Sequence, residues 1–362
     1  MLNYSKSLRA ALGVCAAFML CCAAAPVWAA RVGISMPTDQ RQRWLDDGYE
    51  MKIGLEAAGH EVALTYAGDN DVALQKKQIA EMISQGATFL IITAADRNSL
   101  VEVLKDCRDK KITVIAYDRL IAGTPNLSYY VSFDNYKIGV MQARYLESML
   151  ELATSKQKRY IEIFSGSKDD SNATYILNGS LSVLQPYLDK GTVVCRSAQT
   201  SLEQTAVQNW RPELAEQRMS ELIKELGYGP EGTKLDAVLS PNDSIARGII
   251  AALQKAGYDQ SNIPLTEGQD CDKRNVKLIV DGLQGMSVFK DTRELALMAV
   301  AMVDASVKGQ EVPVNDTTSY DNGLGPVSAF LMEPVMVSRG NLREVLFDSG
   351  YYDESVILNG QP

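Results

Sequence analysis

From residue 31 onward the chain alternates short β-branched runs with amphipathic segments, and few folds accommodate that alternation. Residues 32–36, 62–66, 89–93 and 113–117 read as strands, separated by helices over about 41–58, 72–85 and 99–110. Strands joined through helices lie parallel, and a parallel sheet needs helices on both faces to bury it. Gly59 and Gly86 stand where the first two helices need a left-handed terminating residue. After a run at 129–132 the same grammar restarts, with strands at 160–165, 193–197, 237–240 and 265–267 and helices at 172–188, 212–226 and 244–256. The rest of the chain offers a helix at 274–281, a strand at 286–289, a long helix at 292–307, a strand at 327–331 and a short helix at 342–347. That is too little for a third unit, so it is expected to complete the two existing sheets. The fold class is therefore α/β: two similar doubly wound parallel-sheet lobes joined by a multi-strand hinge. A chain of 362 residues also exceeds what one hydrophobic core usually organises, and no low-complexity linker separates the halves. The expected N-terminal lobe is 30–133 plus 290–327 and the C-terminal lobe 134–289 plus 328–362, with hinge strands near Phe133, Lys290 and Val327.

Residues 1–29 stand outside this pattern. Lys6 and Arg9 precede an apolar run over 10–25, and small residues flank Val27 and Trp28. This reads as a secretory signal peptide cleaved after Ala29. The apolar run is shorter than the ~20 residues a spanning helix needs, and no second run of that length follows. Cys15, Cys21 and Cys22 lie in it, but none follows the small residue of a lipid-attachment site, so anchoring is not expected. Loss of Lys6 and Arg9 takes the formal net charge from −9 to −11. Such a surface repels phosphate polymers and excludes nucleic acid as an expected partner.

Cys107, Cys195 and Cys271 remain, an odd and widely spaced set that makes neither a disulfide framework nor a zinc site. Buried structural thiols are expected, with one pairing left open. His60 is the only histidine and falls in a turn after a helix, which removes most histidine-based catalysis and His-rich metal sites. No cofactor and no metal are expected.

Ligands of open parallel sheets bind beyond the carboxyl ends of the strands, and the residues just after each strand are rich in fixed polar groups. In the first unit they are Arg41-Gln-Arg43-Trp44 and Tyr117-Asp118-Arg119. In the second they are Ser167 to Asn172 with Asp170 between, Asn209-Trp210, Ser240-Pro-Asn242-Asp243 and Gly268-Gln-Asp270, with Lys290 after the strand ending at Phe289. A buried hydroxyl left unpaired costs about 1–3 kcal/mol, so a ring of hydroxyls demands planar, multivalent partners. Asp accepts from two neighbours, Asn gives and takes, Arg and Lys donate, and Trp covers a C–H face. Each residue also has a local reading: Asp118-Arg119 as an ion pair, Asn172, Asn242 and Asp243 as caps or turn residues, Trp44 and Trp210 as core. Recurrence at several strand ends in both units favours a polar-ligand site. A glycosidase using Asp118 and Asp270 would need carboxylates of divergent pKa across a scissile bond. Here cations and amides surround them, and the expectation is a binder rather than an enzyme.

The stretches VGISMPT at 32–38, RWLDDG at 43–48, VIAYDRLI at 114–121, YYVSFDN at 129–135, DAVLSPND at 236–243, GQD at 268–270, VFKDTRELA at 288–296, PVNDTTSYDNG at 313–323 and GYYDE at 350–354 carry a resemblance. In order and spacing the chain resembles the periplasmic sugar-binding proteins, in particular their type I xylose-binding and broad-specificity multiple-aldose branch. The resemblance implies a Venus-flytrap fold with a monosaccharide between the lobes. It assigns ligand contacts to Arg43, Asp118 and Arg119 in the first lobe, to Asp170, Asn172, Trp210, Asn242 and Asp270 in the second, and to Lys290 at the junction. Trp44 is a further candidate platform. Ser171 stands where relatives often carry Asn, and Cys271 where Ala is common, which bears on sugar preference. The implied partners are an aldose such as xylose, glucose, galactose or arabinose and the membrane subunits of an ABC transporter. A chemoreceptor or sensor kinase would be a further partner, and a monomer in the periplasm the expected state. The alternative reading is a sensory receptor for a non-aldose ligand such as a furanose signal molecule, without transport. A two-lobed repressor is excluded by the export signal and by the lack of a helix-turn-helix before Arg31.

Overall fold

The computed structural model of the chain describes residues 29–359, so the expected signal peptide lies outside the described residues apart from Ala29. In chain order the elements are β1 (Arg31–Met36), α1 (Gln42–Ala57), β2 (Glu61–Tyr66), α2 (Val72–Ser84), β3 (Phe89–Ile92), β4 (Thr113–Tyr117), β5 (Tyr129–Phe133), α3 (Asn135–Met149), β6 (Arg159–Ile163) and α4 (Ser171–Asp189). They continue with β7 (Val193–Cys195), α5 (Leu202–Thr205), α6 (Pro212–Leu226), β8 (Ala237–Leu239), α7 (Asp243–Lys255), β9 (Leu265–Gln269), α8 (Lys273–Val280), β10 (Met286–Phe289), α9 (Thr292–Val307), β11 (Ala329–Met332), β12 (Val335–Ser338) and α10 (Glu354–Asn359).

The strands form two six-stranded sheets, β11-β5-β4-β3-β1-β2 and β12-β10-β9-β8-β6-β7. Both run through the same order, so the molecule is two copies of one architecture. Every pairing is parallel except that of β10 with β12. β1, β3 and β4 are buried on both faces, which is why their sequences read as continuous apolar runs rather than alternating ones. Gly59 and Gly86 take φ of +91° and +87° after α1 and α2, as their positions predict, and α6 begins on Pro212 and stops at Gly227.

The chain crosses between lobes three times: from β5 into α3, from β10 into α9, and through Glu333-Pro334 from β11 into β12. The last crossing corrects the boundary expected at 327/328. The strand expected there pairs beside β5, Ala329 opposite Tyr130, and so still belongs to the first lobe. Three further differences have physical causes. Segment 99–110 buries Leu100, Leu104 and Cys107 at helical spacing, but its backbone bonds mix i+3 and i+4 steps, Lys105 to Glu102 and Leu104 to Leu100, giving successive turns rather than a helix. Helix α3, absent from the sequence reading, begins at a proper cap, with Asp134 accepting from Lys137 N at 3.0 Å. Strand β12, also unread, is a short antiparallel edge with two exposed residues.

Two glycines place the site. Added Cβ atoms would stand 1.9 Å from Ile176 O at Gly139 and 2.0 Å from Tyr136 O at Gly179, so α3 and α4 touch backbone to backbone. That contact brings the first turn of α4 against the hinge residue Asn135, whose Nδ2 donates to Asn172 Oδ1 at 3.0 Å.

Candidate ligand-binding cleft

The carboxyl ends of the two sheets face each other, and the strand-end residues meet there. Arg43, in the first turn of α1 after β1, reaches three carboxylates. Its Nη2 donates to Asp118 Oδ2, its Nη1 lies 3.7 Å from Asp270 Oδ1 in the other lobe, and its Nε lies 3.6 Å from Asp47 Oδ2. Asp118 follows β4 with φ of +61°, a left-handed conformation that costs a non-glycine residue about 1–3 kcal/mol unless its surroundings hold it. Its carbonyl accepts from the Tyr130 hydroxyl at 2.8 Å, the Ser132 hydroxyl at 2.9 Å and Asn172 Nδ2 at 3.2 Å, and those bonds are the hold. Arg119 does not pair with its neighbour. Its Nε is 3.0 Å from Asp170 Oδ2 across the cleft, and Nη1 donates to Ala94 O at 3.0 Å. The local Asp118–Arg119 pair is thus replaced by Arg43–Asp118 and Arg119–Asp170.

In the second lobe Asp170, rather than Asn172, caps α4, accepting from Asn172 N at 2.9 Å. The Asn172 side chain, not used as a cap, turns to the first lobe, where its Nδ2 donates to Asp118 Oδ1 at 3.2 Å. Asn242 works twice: Oδ1 caps α7 by accepting from Ile245 N at 3.0 Å, and Nδ2 reaches Asp270 Oδ2 at 3.4 Å. Lys290 Nζ lies 2.7 Å from Asp270 Oδ1. Asp270 and Cys271 carry φ of +96° and +51°. Ser287 Oγ accepts from Cys271 N at 3.1 Å and Asp243 Oδ2 from Asp272 N at 2.8 Å. Asp243 is therefore an internal anchor of that loop rather than a cap. Trp210 lies across Gly166 at the end of β6, where an added Cβ would stand 2.1 Å from the indole. Trp44 carries two guanidiniums, Arg43 at 4.5 Å and Arg119 at 5.4 Å from its ring centroid, so its cation–π face supports the arginines.

Burial alone would raise the Asp118 carboxyl, but Arg43, Lys290 and Arg119 outweigh it and hold the group below the usual range. Against the same burial, Lys290 and then Arg43 bring Asp270 down to about 2. At Asp170 burial wins over Arg119 and the carboxyl rises. Asp47 is pushed up to about 7, chiefly by burial. Three cations, Arg43, Arg119 and Lys290, face three acids, Asp118, Asp170 and Asp270. Such a set presents donors and acceptors in balance, which suits a neutral ligand with many hydroxyls better than an ion. Among the described residues no group of three His, Cys, Asp or Glu is placed to hold a metal ion.

The lobes are closed on each other. Ser171 Oγ accepts from Leu120 N at 3.1 Å and donates to Leu120 O at 3.3 Å, and Arg97 N donates to Asp169 O at 2.9 Å. Arg41 Nη2 bonds Asn209 O, and Arg211 meets Asp69 at 2.6 Å. Sequence reasoning missed Ser171 as a bridge and Asp47 altogether. The available signal for Asp47 was its i,i+4 spacing from Arg43, which ordinarily marks a solvated ion pair. Cys107 and Cys271 are buried and Cys195 half-buried, all three free.

Comparison with known proteins places the chain. The periplasmic binding protein domain family matches residues 32–311. The multiple sugar-binding periplasmic protein SbpA of Azospirillum brasilense is 43% identical over 326 residues, 90% of each chain. The D-xylose-binding periplasmic protein of Escherichia coli is 32% identical over 344 residues, 95% of this chain and 97% of its own. An ABC transporter solute-binding protein from Clostridium phytofermentans, solved with bound β-D-glucose, superposes with a TM-score of 0.86 at 47% identity, covering 90% of this chain and 99% of its own.

Proposed function

The chain belongs to the periplasmic binding protein family, and from that premise we propose that it captures a monosaccharide between its lobes and delivers it to an ABC importer. The observation that carries the reading is the balanced cluster of buried charges at the cleft, Arg43, Asp118, Arg119, Asp170, Asp270 and Lys290, with Asn172 and Asn242 among them. Relatives named for multiple sugars and for xylose, and one solved with bound β-D-glucose, support an aldose as the ligand. The leader would direct the chain to the periplasm and be removed after Ala29.

The open receptor exposes half a site on each lobe. Sugar binds one half, and closure completes the hydrogen-bond shell and excludes water, with rotation taken up at the three crossings near Phe133, Lys290 and Glu333. A ligand drives closure only through its preference for the closed state. In this reading the Arg43–Asp270 and Arg119–Asp170 bridges, with Ser171 on Leu120, supply that preference. The closed face is then what the membrane subunits recognise, with a chemoreceptor or sensor kinase as a further reader. No bond in the ligand is broken.

A calorimetric or thermal-shift panel of xylose, glucose, galactose, arabinose, ribose and fucose tests the proposal. A ligand at about 100 times its dissociation constant stabilises the native state by ~2.7 kcal/mol, enough for a clear rise in melting temperature. A panel in which no aldose shifts the curve while an amino acid does would overturn it.

A further inference from the structure

We propose that Asp47 is a positioning residue for the cleft: its buried carboxyl group, charged or neutral, backs the Arg43 guanidinium, and its protonation state sets how tightly the lobes close on the ligand. The inference rests on the receptor reading above and adds a pH response to it.

Asp47 follows Arg43 by one turn on α1, with a side chain only 1% exposed. The groups that face it come from several elements. Arg43 Nε of the same helix lies at 3.6 Å, and the Tyr117 hydroxyl at the end of β4 donates to Oδ2 at 3.0 Å. The Asp118 charge and the Thr292 hydroxyl of α9 act on it as well. Tyr351, whose hydroxyl meets Thr292 at 3.4 Å, and Tyr66 of β2 lie near enough to feel its charge. The cation in this set is Arg43, and Asp118 and Asp270 share it. The second oxygen, Oδ1, is buried and accepts no well-formed hydrogen bond among the described residues, the Thr292 hydroxyl being the one further donor beside the carboxyl. A buried carboxylate with so few donors and one shared cation is poorly compensated, whereas a carboxylic acid there leaves less charge to solvate.

Closure is what makes this functional. It brings Asp270 of the second lobe up to Arg43 and removes water from the guanidinium, and both changes weaken Arg43's hold on ionised Asp47. The carboxyl therefore binds a proton more readily in the closed state, where burial pushes it up to about 7. A group whose value is higher in one state favours that state as pH falls, so acidification favours the closed, liganded form. The advantage is full below the open-state value and is lost as pH rises through about 7. If closure raises the carboxyl by one or more units, affinity is about five- to tenfold higher at pH 6 than at pH 8.

The test is calorimetry of the mature protein with the aldose that stabilises it most, from pH 5.5 to 8.5, on wild type, Asp47→Asn and Asp47→Ala. Wild type should lose about five- to tenfold in affinity across that range. Asp47→Asn, which imitates the neutral acid, should bind with the acid-side affinity throughout. Asp47→Ala should bind weakly and without pH dependence, because Arg43 loses its support. Trp44 provides a ligand-free readout, since Arg43 sits over its ring. In a Trp210→Phe background the fluorescence of the ligand-free, open receptor should titrate below pH 7, the midpoint should move up towards 7 when sugar closes the lobes, and Asp47→Asn should abolish both transitions. Wild-type affinity that is flat over this range, or a pH dependence that survives in Asp47→Asn, overturns the inference while leaving the receptor reading intact. A flat Trp44 signal overturns it even if no aldose binds, and that last outcome counts separately against the receptor reading.

Discussion

Replacing Asp270 with alanine separates what the residue does for the fold from what it does for the ligand. Its Oδ1 is 2.7 Å from Lys290 Nζ and 3.7 Å from Arg43 Nη1, and the Lys290 side chain is 4% exposed. Removing the acid strands a buried ammonium, and breaking a buried pair from one side costs about 3–5 kcal/mol. The ligand loses an ionised acceptor. Each charge-assisted bond is worth about 1.5–3 kcal/mol, and a carboxylate can accept from two adjacent hydroxyls. Binding should therefore weaken by about 3–6 kcal/mol, or roughly a hundred- to ten-thousandfold. Adding Lys290→Met removes the stranded charge. Unfolding in urea measures the first cost and calorimetry with the preferred aldose the second. The single variant should unfold cooperatively at a lower midpoint and bind no measurable sugar. The double variant should recover most of the stability and none of the affinity. A single variant that binds within about tenfold of wild type, or a double variant that regains affinity along with stability, would refute Asp270 as a ligand acceptor.

Two further outcomes follow from the same geometry. Folding lowers the Asp270 carboxyl from 3.8 to about 2, so its ionised form contributes stability at every pH above about 4 and loses it as pH falls towards 2, a contribution of ~2 kcal/mol. The difference in unfolding free energy between wild type and Asp270→Asn should accordingly stay constant from neutral pH down to mild acid and shrink below it; a constant difference throughout would remove the Lys290 and Arg43 effect. Ser171→Ala deletes the hydroxyl that both accepts from Leu120 N and donates to Leu120 O, weakening closure by about 1 kcal/mol. Stopped-flow measurement should show sugar dissociating roughly fivefold faster with the association rate nearly unchanged, whereas an equal change in both rates would place that contact in the open form as well.

What could be read ahead of the structure divides along the range of the forces involved. Strands such as 32–36 and 113–117 announce themselves because both faces are buried and the signal is local, as are the glycines after α1 and α2. One departure is local as well. Segment 99–110 has the apolar spacing of a helix, but Val101 and Val103 are stiff β-branched residues, and burial of Leu100, Leu104 and Cys107 is satisfied by turns. The other is not: strand β11 belongs to the first lobe, beyond the boundary expected at 327/328, because sheet membership is decided by pairing with Tyr130 and its neighbours, far away in sequence.

The site shows the same division one level higher. Which residues stand at strand ends follows from the alternation, and all ten candidates lie at or beside the cleft. Which charge takes which partner does not follow, because Asp118 and Arg119 are adjacent in the chain yet bind Arg43 and Asp170 instead of each other. The reason is steric before it is electrostatic. With φ at +61°, Asp118 and Arg119 project in different directions, and the Tyr130, Ser132 and Asn172 bonds to the Asp118 carbonyl fix that turn. Once the two side chains diverge, each needs a counterion from elsewhere, and for Arg119 the counterion is in the other lobe. A strained backbone at one strand end thereby replaces a local ion pair with a bridge between the lobes. The same logic applies at Asp270, whose left-handed φ turns its carboxylate towards Lys290 at the junction and Arg43 across the cleft. Closure in this molecule is thus written into two unfavourable dihedral angles, and relaxing either one should loosen the closed state before it alters the fold of either lobe.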